Sequence, residues 1–134
     1  MTLPTTNESL VIRTDYSNEA AWTALCEALT APVDGFQASL VFVSDPAFDG
    51  LDIQQVVELL PTGFPQSFVL IVDTQALDDP ANAVVVVDLR AECGRTFRVI
   101  PSAAWAVENN LSLGNLDFRD FADAADSAGV FRGF

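Results

Sequence analysis

Histidine and lysine are both missing from this 134-residue chain, and its six basic residues are all arginine. Without an imidazole the commonest general base is gone, and with it the Ser-His-Asp triad and the Cys-His dyad. Most zinc sites, which draw on Cys and His, are closed for the same reason. Without a lysine amine there is no P-loop lysine, no Schiff-base catalysis and no receiver-domain lysine. Glycine is sparse at seven residues, and neither a GxGxxG nor a Gly-rich phosphate loop occurs, so a dinucleotide site has no support. The two cysteines, Cys26 and Cys93, are far apart and give neither a disulfide framework nor a zinc motif. Cys26 falls in an apolar helical stripe and is expected to be buried. No apolar run approaches the roughly 18 residues that a membrane helix needs. The first eight residues lack the basic-then-apolar order of a secretory signal. The expected setting is the cytoplasm.

What is present in excess is acid: 19 Asp and Glu against six Arg, a formal net charge of −13. Such a surface repels phosphate, which argues against nucleic acid and against anionic membranes as direct ligands. It attracts basic protein surfaces and metal cations. Solubility alone, or adaptation to salt, also enriches acidic residues. Half of the chain is apolar and ten residues are Phe, a core-forming composition at the length of one ordinary domain. A domain of this size buries roughly 65–70% of its unfolded surface and needs no disulfide or metal to fold.

Along the chain, residues 1–8 read as a loose arm and 9–134 as a single α/β domain. Residues 9–13 (SLVIR) read as a first strand. Ser17 is the expected N-cap of a helix whose stripe is Trp22, Leu25, Cys26 and Leu29. Residues 38–43 (ASLVFV) give a second strand. Asp52, or else Asp49, is expected to cap a second helix; with Asp52 as cap, Gln55 stands at the capping-box position. Residues 67–72 (SFVLIV) give a third strand, followed by a polar loop over 73–82. Residues 83–89 form a continuously apolar fourth strand, as expected where both faces are covered. A tight turn then leads to an antiparallel fifth strand at 96–100. A short helix at about 102–109 and a last helix at about 116–128 follow, the latter with Phe118, Phe121, Ala122 and Ala125 as its apolar side. The pattern β-α-β-α-β, then a β-hairpin, then two helices, predicts a mixed, mostly parallel sheet of about five strands.

Six ordered stretches carry a resemblance: LVIRTDYS (10–17), FVSDPAFDGL (42–51), VVVDL (85–89), GRTFRVIPS (94–102), VENNLSLGNLDF (107–118) and GVFRGF (129–134). Through them residues 10–134 resemble a group of small actinobacterial proteins catalogued as a domain of unknown function. The resemblance implies a family and an actinobacterial, cytosolic setting, and it implies no mechanism.

Two constellations remain. Asp15, Asp45 and Asp73 each follow a strand expected to be parallel, and open α/β sheets bind ligands outside those ends. Converging there, with Asp49 nearby, they would hold Mg²⁺ and support phosphoryl transfer or hydrolysis. Asp also ends strands and caps helices simply by bonding backbone amides. The second constellation is C-terminal. Asp117, Asp120, Asp123 and Asp126 spiral around the last helix, with Arg119 expected to pair with Asp123. Together with Glu108, and with Phe131 and Phe134 if these are exposed, they form a candidate partner-binding face; if not, the two rings seal the core. Arg95 and Arg98 are expected to pair with nearby carboxylates. The preferred expectation is an acidic interaction domain, inhibitor- or immunity-like, that binds a basic partner protein and needs no cofactor. The alternative is the Mg²⁺-dependent enzyme.

Overall fold

The computed structural model describes residues 8–134, so residues 1–7 of the expected arm lie outside the described residues. The elements run β1 (Ser9–Arg13), α1 (Glu19–Thr30), β2 (Leu40–Val43), a 3₁₀ turn (Pro46–Phe48), α2 (Ile53–Glu58), β3 (Phe68–Val72) and α3 (Thr74–Asp78), then β4 (Val84–Asp88), β5 (Thr96–Val99), α4 (Pro101–Leu113), α5 (Phe118–Ala122) and β6 (Val130–Phe131). One six-stranded sheet in the order β2-β1-β3-β4-β5-β6 holds them together. β1 is parallel to both β2 and β3. β4 is antiparallel to β3 and to β5, and β6 is parallel to β5. The α/β class, the mixed sheet and the β4–β5 hairpin are as the sequence predicts.

Strand residues point alternately to the two faces of the sheet, and the core divides accordingly. Val11, Leu70, Val72, Val84 and Val86 pack with α1, α4 and α5 on one face. Leu10, Ile12, Val69, Ile71, Val85 and Val87 pack with α2 and Phe48 on the other. Because β1, β3 and β4 are covered on both faces, every residue in them is buried, which explains their unbroken apolar runs.

The local signals place α2 well. Asp52 accepts from the Gln55 amide at 2.8 Å, and Gln55 Oε1 accepts from the Asp52 amide at 2.9 Å, a closed capping box. For α1 the cap is Asn18 rather than Ser17: Asn18 Oδ1 accepts from the Ala21 amide, while Ser17 donates its amide to Asp15. The expected polar loop after β3 contains the short helix α3, capped by Asp73. The helix after β5 runs further than expected, to Leu113, where Gly114 ends it in the left-handed region at φ 73°. The last helix is shorter than expected and stops at Ala122, because Asp126 turns the chain back into β6. Its Oδ1 accepts from the Ala128 and Val130 amides at 2.9 and 3.0 Å.

Candidate functional site

Since β2, β1 and β3 are parallel neighbours, Asp45, Asp15 and Asp73 do leave the sheet at one edge. Each side chain, however, folds back on its own loop. Asp15 Oδ1 accepts from the Ser17 amide at 2.8 Å; the hydrogen bonds from Ser17 hold its carboxyl below the ordinary range. Asp45 Oδ1 accepts from the Ala47 amide at 3.0 Å and starts the 3₁₀ turn, and Asp49 closes that turn. Asp73 caps α3 through the Ala76 amide at 3.0 Å and takes both Arg98 terminal nitrogens, at 3.0 and 2.7 Å. Burial pushes the Asp73 carboxyl up, but the Arg98 and Ala76 hydrogen bonds and the Arg98 charge outweigh it and hold the pKa low. Among the described residues no three carboxylate or thiol groups stand close enough to hold a metal ion. Asp15, Asp45 and Asp73, expected from the sequence to hold Mg²⁺, each bond an amide of their own loop in this structure.

Arg13 dominates that edge instead. It closes β1 and is buried, with 2% of its surface exposed. Its Nε donates to the Asp15 carbonyl at 3.1 Å and one terminal nitrogen to Ser44 Oγ at 3.3 Å. The other terminal nitrogen lies 2.8 Å from the exposed Glu19 carboxylate, in ion-pair contact but without hydrogen-bond geometry. The guanidinium sits over the rings of Tyr16 and Trp22, 4.2 and 5.0 Å from their centroids. The Tyr16 hydroxyl donates to the Asp45 carbonyl at 2.6 Å, so this cluster clasps the ends of β1 and β2. The signal was present in the sequence: a cation directly after the apolar run Leu10-Val11-Ile12.

The C-terminal constellation separates into surface and core. Asp117, Asp120 and Asp123 are exposed on or beside α5. Glu108 is not: it is 6% exposed. Its carboxylate accepts from Ser9 Oγ at 3.0 Å, the Ser39 amide at 2.7 Å and Ser112 Oγ at 2.6 Å, docking α4 on the starts of β1 and β2. Phe131 is wholly buried, edge-on to Phe121 at 5.1 Å. Phe134 is 82% exposed, although its ring lies 4.9 Å from Phe131. Glu108 and Phe131 thus leave the candidate face and belong to the core. Asp123 pairs with Arg95 at 2.6 Å rather than with Arg119, because α5 ends before it. Arg95 and Arg98 pair with carboxylates, as expected.

A groove of about 650 Å³ adjoins α5, a feature the sequence did not point to. Phe68, Leu111, Leu116 and Phe118 line it, together with Asp88, Arg90, Glu92, Asp117 and Arg119. A second hollow of about 440 Å³ shares Ser67, Phe68, Leu111 and Gly114 with it and reaches Leu113, whose side chain is exposed. The β4–β5 turn forms one wall. There the buried Asp88 accepts from the Arg90 and Glu92 amides at 3.0 and 2.8 Å, and Arg90 donates to the Phe64 carbonyl at 2.7 Å. Residues from three separate stretches, 67–68, 88–92 and 111–119, make the groove, so no single motif announces it.

Among the described residues no helix is long and apolar enough to cross a membrane. No curated protein matches the chain. One family model, described as "Domain of unknown function (DUF6924)", matches residues 8–134. With nearly the whole length covered, the chain belongs to that family of unknown function.

Proposed function

We propose that this protein is an acidic interaction domain, inhibitor- or immunity-like, that meets a basic surface of a partner protein with the exposed carboxylates of α5 and the exposed ring of Phe134. The observation that carries the reading is how the arginines are spent. Arg13, Arg95, Arg98 and Arg132 each lie within 2.9 Å of one of the protein's own carboxylates. The net charge of −13 already counts all six arginines, so it is an excess that no basic side chain of the protein offsets, and Asp117 and Asp120 face solvent. The exposed Phe134 ring lies 5.6 Å from Phe121 of α5, and an aromatic ring on a charged surface matches the anchor-and-steering division of protein interfaces. The missing imidazole and amine side chains support binding over acid–base turnover.

The test is affinity capture from a native lysate at about 50 and 500 mM salt, a range over which screening of surface charge changes strongly, with the wild type and with Asp117→Asn/Asp120→Asn. A specific protein held at low salt, released at high salt and lost from the double variant supports the reading. Capture of no protein that distinguishes the two forms would overturn it.

A further inference from the structure

We propose that the groove beside α5 binds a small amphipathic carboxylic acid, an apolar chain or ring bearing one carboxylate, with Arg119 and Arg90 receiving the anion. This goes beyond the interaction reading and does not rest on it.

The distribution of cations points there. Four of the six arginines are held by the protein's own carboxylates at 2.9 Å or less. The remaining two are Arg119, whose nearest carboxylate contact is Asp117 at 3.9 Å, and Arg90, which donates to the Phe64 carbonyl. Both line the same groove. In a chain with 19 acidic residues, these two guanidinium groups lack a close carboxylate where a concavity would let a ligand supply one. A guanidinium presents paired donors that suit a carboxylate.

The carboxylates of the groove are largely occupied. Asp88 has each oxygen on a backbone amide, and Glu92 is paired with Arg95 at 2.7 Å. A hydrogen bond to an amide leaves a carboxylate's charge in place, so Asp88, Glu92 and Asp117 all oppose an incoming anion, and Asp117, 3.9 Å from Arg119, is the least engaged of the three. The net charge of −13 weighs against a multiply charged phosphate more than against a single carboxylate. The apolar lining of Phe68, Leu111, Leu116 and Phe118 favours a ligand whose body is hydrocarbon, and the volume falls within the usual range for small-molecule sites.

Amide-resolved NMR titration with hexanoate, octanoate and decanoate, and with 1-octanol as the uncharged control, tests the site. Octanoate is expected to shift amides of the β4–β5 turn and of residues 114–119, and to bind at least about tenfold more tightly than 1-octanol, the scale of a charge-assisted hydrogen bond. Affinity is expected to rise roughly three- to fourfold per added methylene. Arg119→Gln changes an exposed side chain; it is expected to weaken octanoate several-fold, narrowing its margin over 1-octanol, while leaving 1-octanol binding intact, which shows that the groove survives. Equal affinity for acid and alcohol, shifts centred elsewhere, an unaffected Arg119→Gln, or no binding at millimolar ligand would each overturn the proposal. None of these results bears on capture of a partner protein.

Discussion

The Arg13 guanidinium has left water almost entirely, with 2% of its surface exposed, while its ion-pair partner Glu19 remains 76% exposed. The attraction between them is therefore weakly supported by Glu19 and strongly by what surrounds Arg13: the Asp15 carbonyl, Ser44 Oγ and two aromatic rings. Removing Glu19 takes away one solvent-screened contact, so Glu19→Ala is expected to cost under about 1 kcal/mol. Arg13→Ala leaves a cavity under the Tyr16 and Trp22 rings and removes two part-buried hydrogen bonds, and is expected to cost about 2–4 kcal/mol; urea denaturation of the two variants measures the contrast. Asp73 gives the pH counterpart. Its folded pKa lies below the ordinary 3.8, with Arg98 and the Ala76 amide overcoming the effect of burial. A lowered carboxyl contributes stability that is in force above the unfolded pKa and is lost as pH falls through the folded one. Asp73→Asn is accordingly expected to flatten the decline in stability below about pH 4, where the unfolded carboxyl titrates. At this scale the sequence placed the three strand-end aspartates at one end of the parallel strands, and it did not show that each bonds an amide of its own loop. A carboxylate that can reach its own loop amides two or three residues ahead does so at little entropic cost, and only coordinates reveal that choice.

Elements with strong local codes were legible, and those made by distant contacts were not. The capping box of α2 was readable because Asp52 and Gln55 satisfy each other within four residues. Asp52→Ala is expected to cost about 1 kcal/mol, seen as a lower urea midpoint. β1 to β4 were readable from apolar runs bounded by turn residues, and β5 from the tight turn at Gly94 that returns the chain after β4. β6 was not: it is two residues long, and what makes it a strand is the register of Arg98 with Val130 and Val99 with Phe131. The sequence extended the last helix through 128 because Ala and Asp fit helical spacing. The competing force is Asp126, which holds the Ala128 and Val130 amides and Arg132 and so favours the turn. Gly129 completes that turn at φ 79° and gives its carbonyl to the Arg98 amide. Gly129→Ala forces a side chain into the left-handed region and is expected to lower stability by about 1 kcal/mol. The groove beside α5 was illegible for the same reason as β6, since its walls come from segments that meet only in the folded chain.

For the whole molecule, the excess of −13 acts on folding and on association with opposite signs. Within one chain the uncompensated carboxylates repel each other, and the compact state brings them closer than the unfolded chain does. Salt screens that repulsion, so raising NaCl from about 20 to 500 mM, which shortens the screening length several-fold, is expected to raise the thermal midpoint. Between this chain and a basic partner the same carboxylates attract, and the same salt is expected to weaken the complex, chiefly by slowing association. A charge that served solubility alone would give only the first effect. Position separates the two further. Glu27 is exposed on α1 and is not among the carboxylates of the proposed face, so Glu27→Gln removes one unit of self-repulsion from outside that set; Asp120→Asn removes the same unit from within it. Both are expected to reduce the salt dependence of the thermal midpoint, but only Asp120→Asn is expected to reduce the salt dependence of partner association, measured by surface binding kinetics across the same salt range. If the two substitutions reduced the association slope equally, the attraction would belong to the net charge of the molecule, and α5 would have no special part in it.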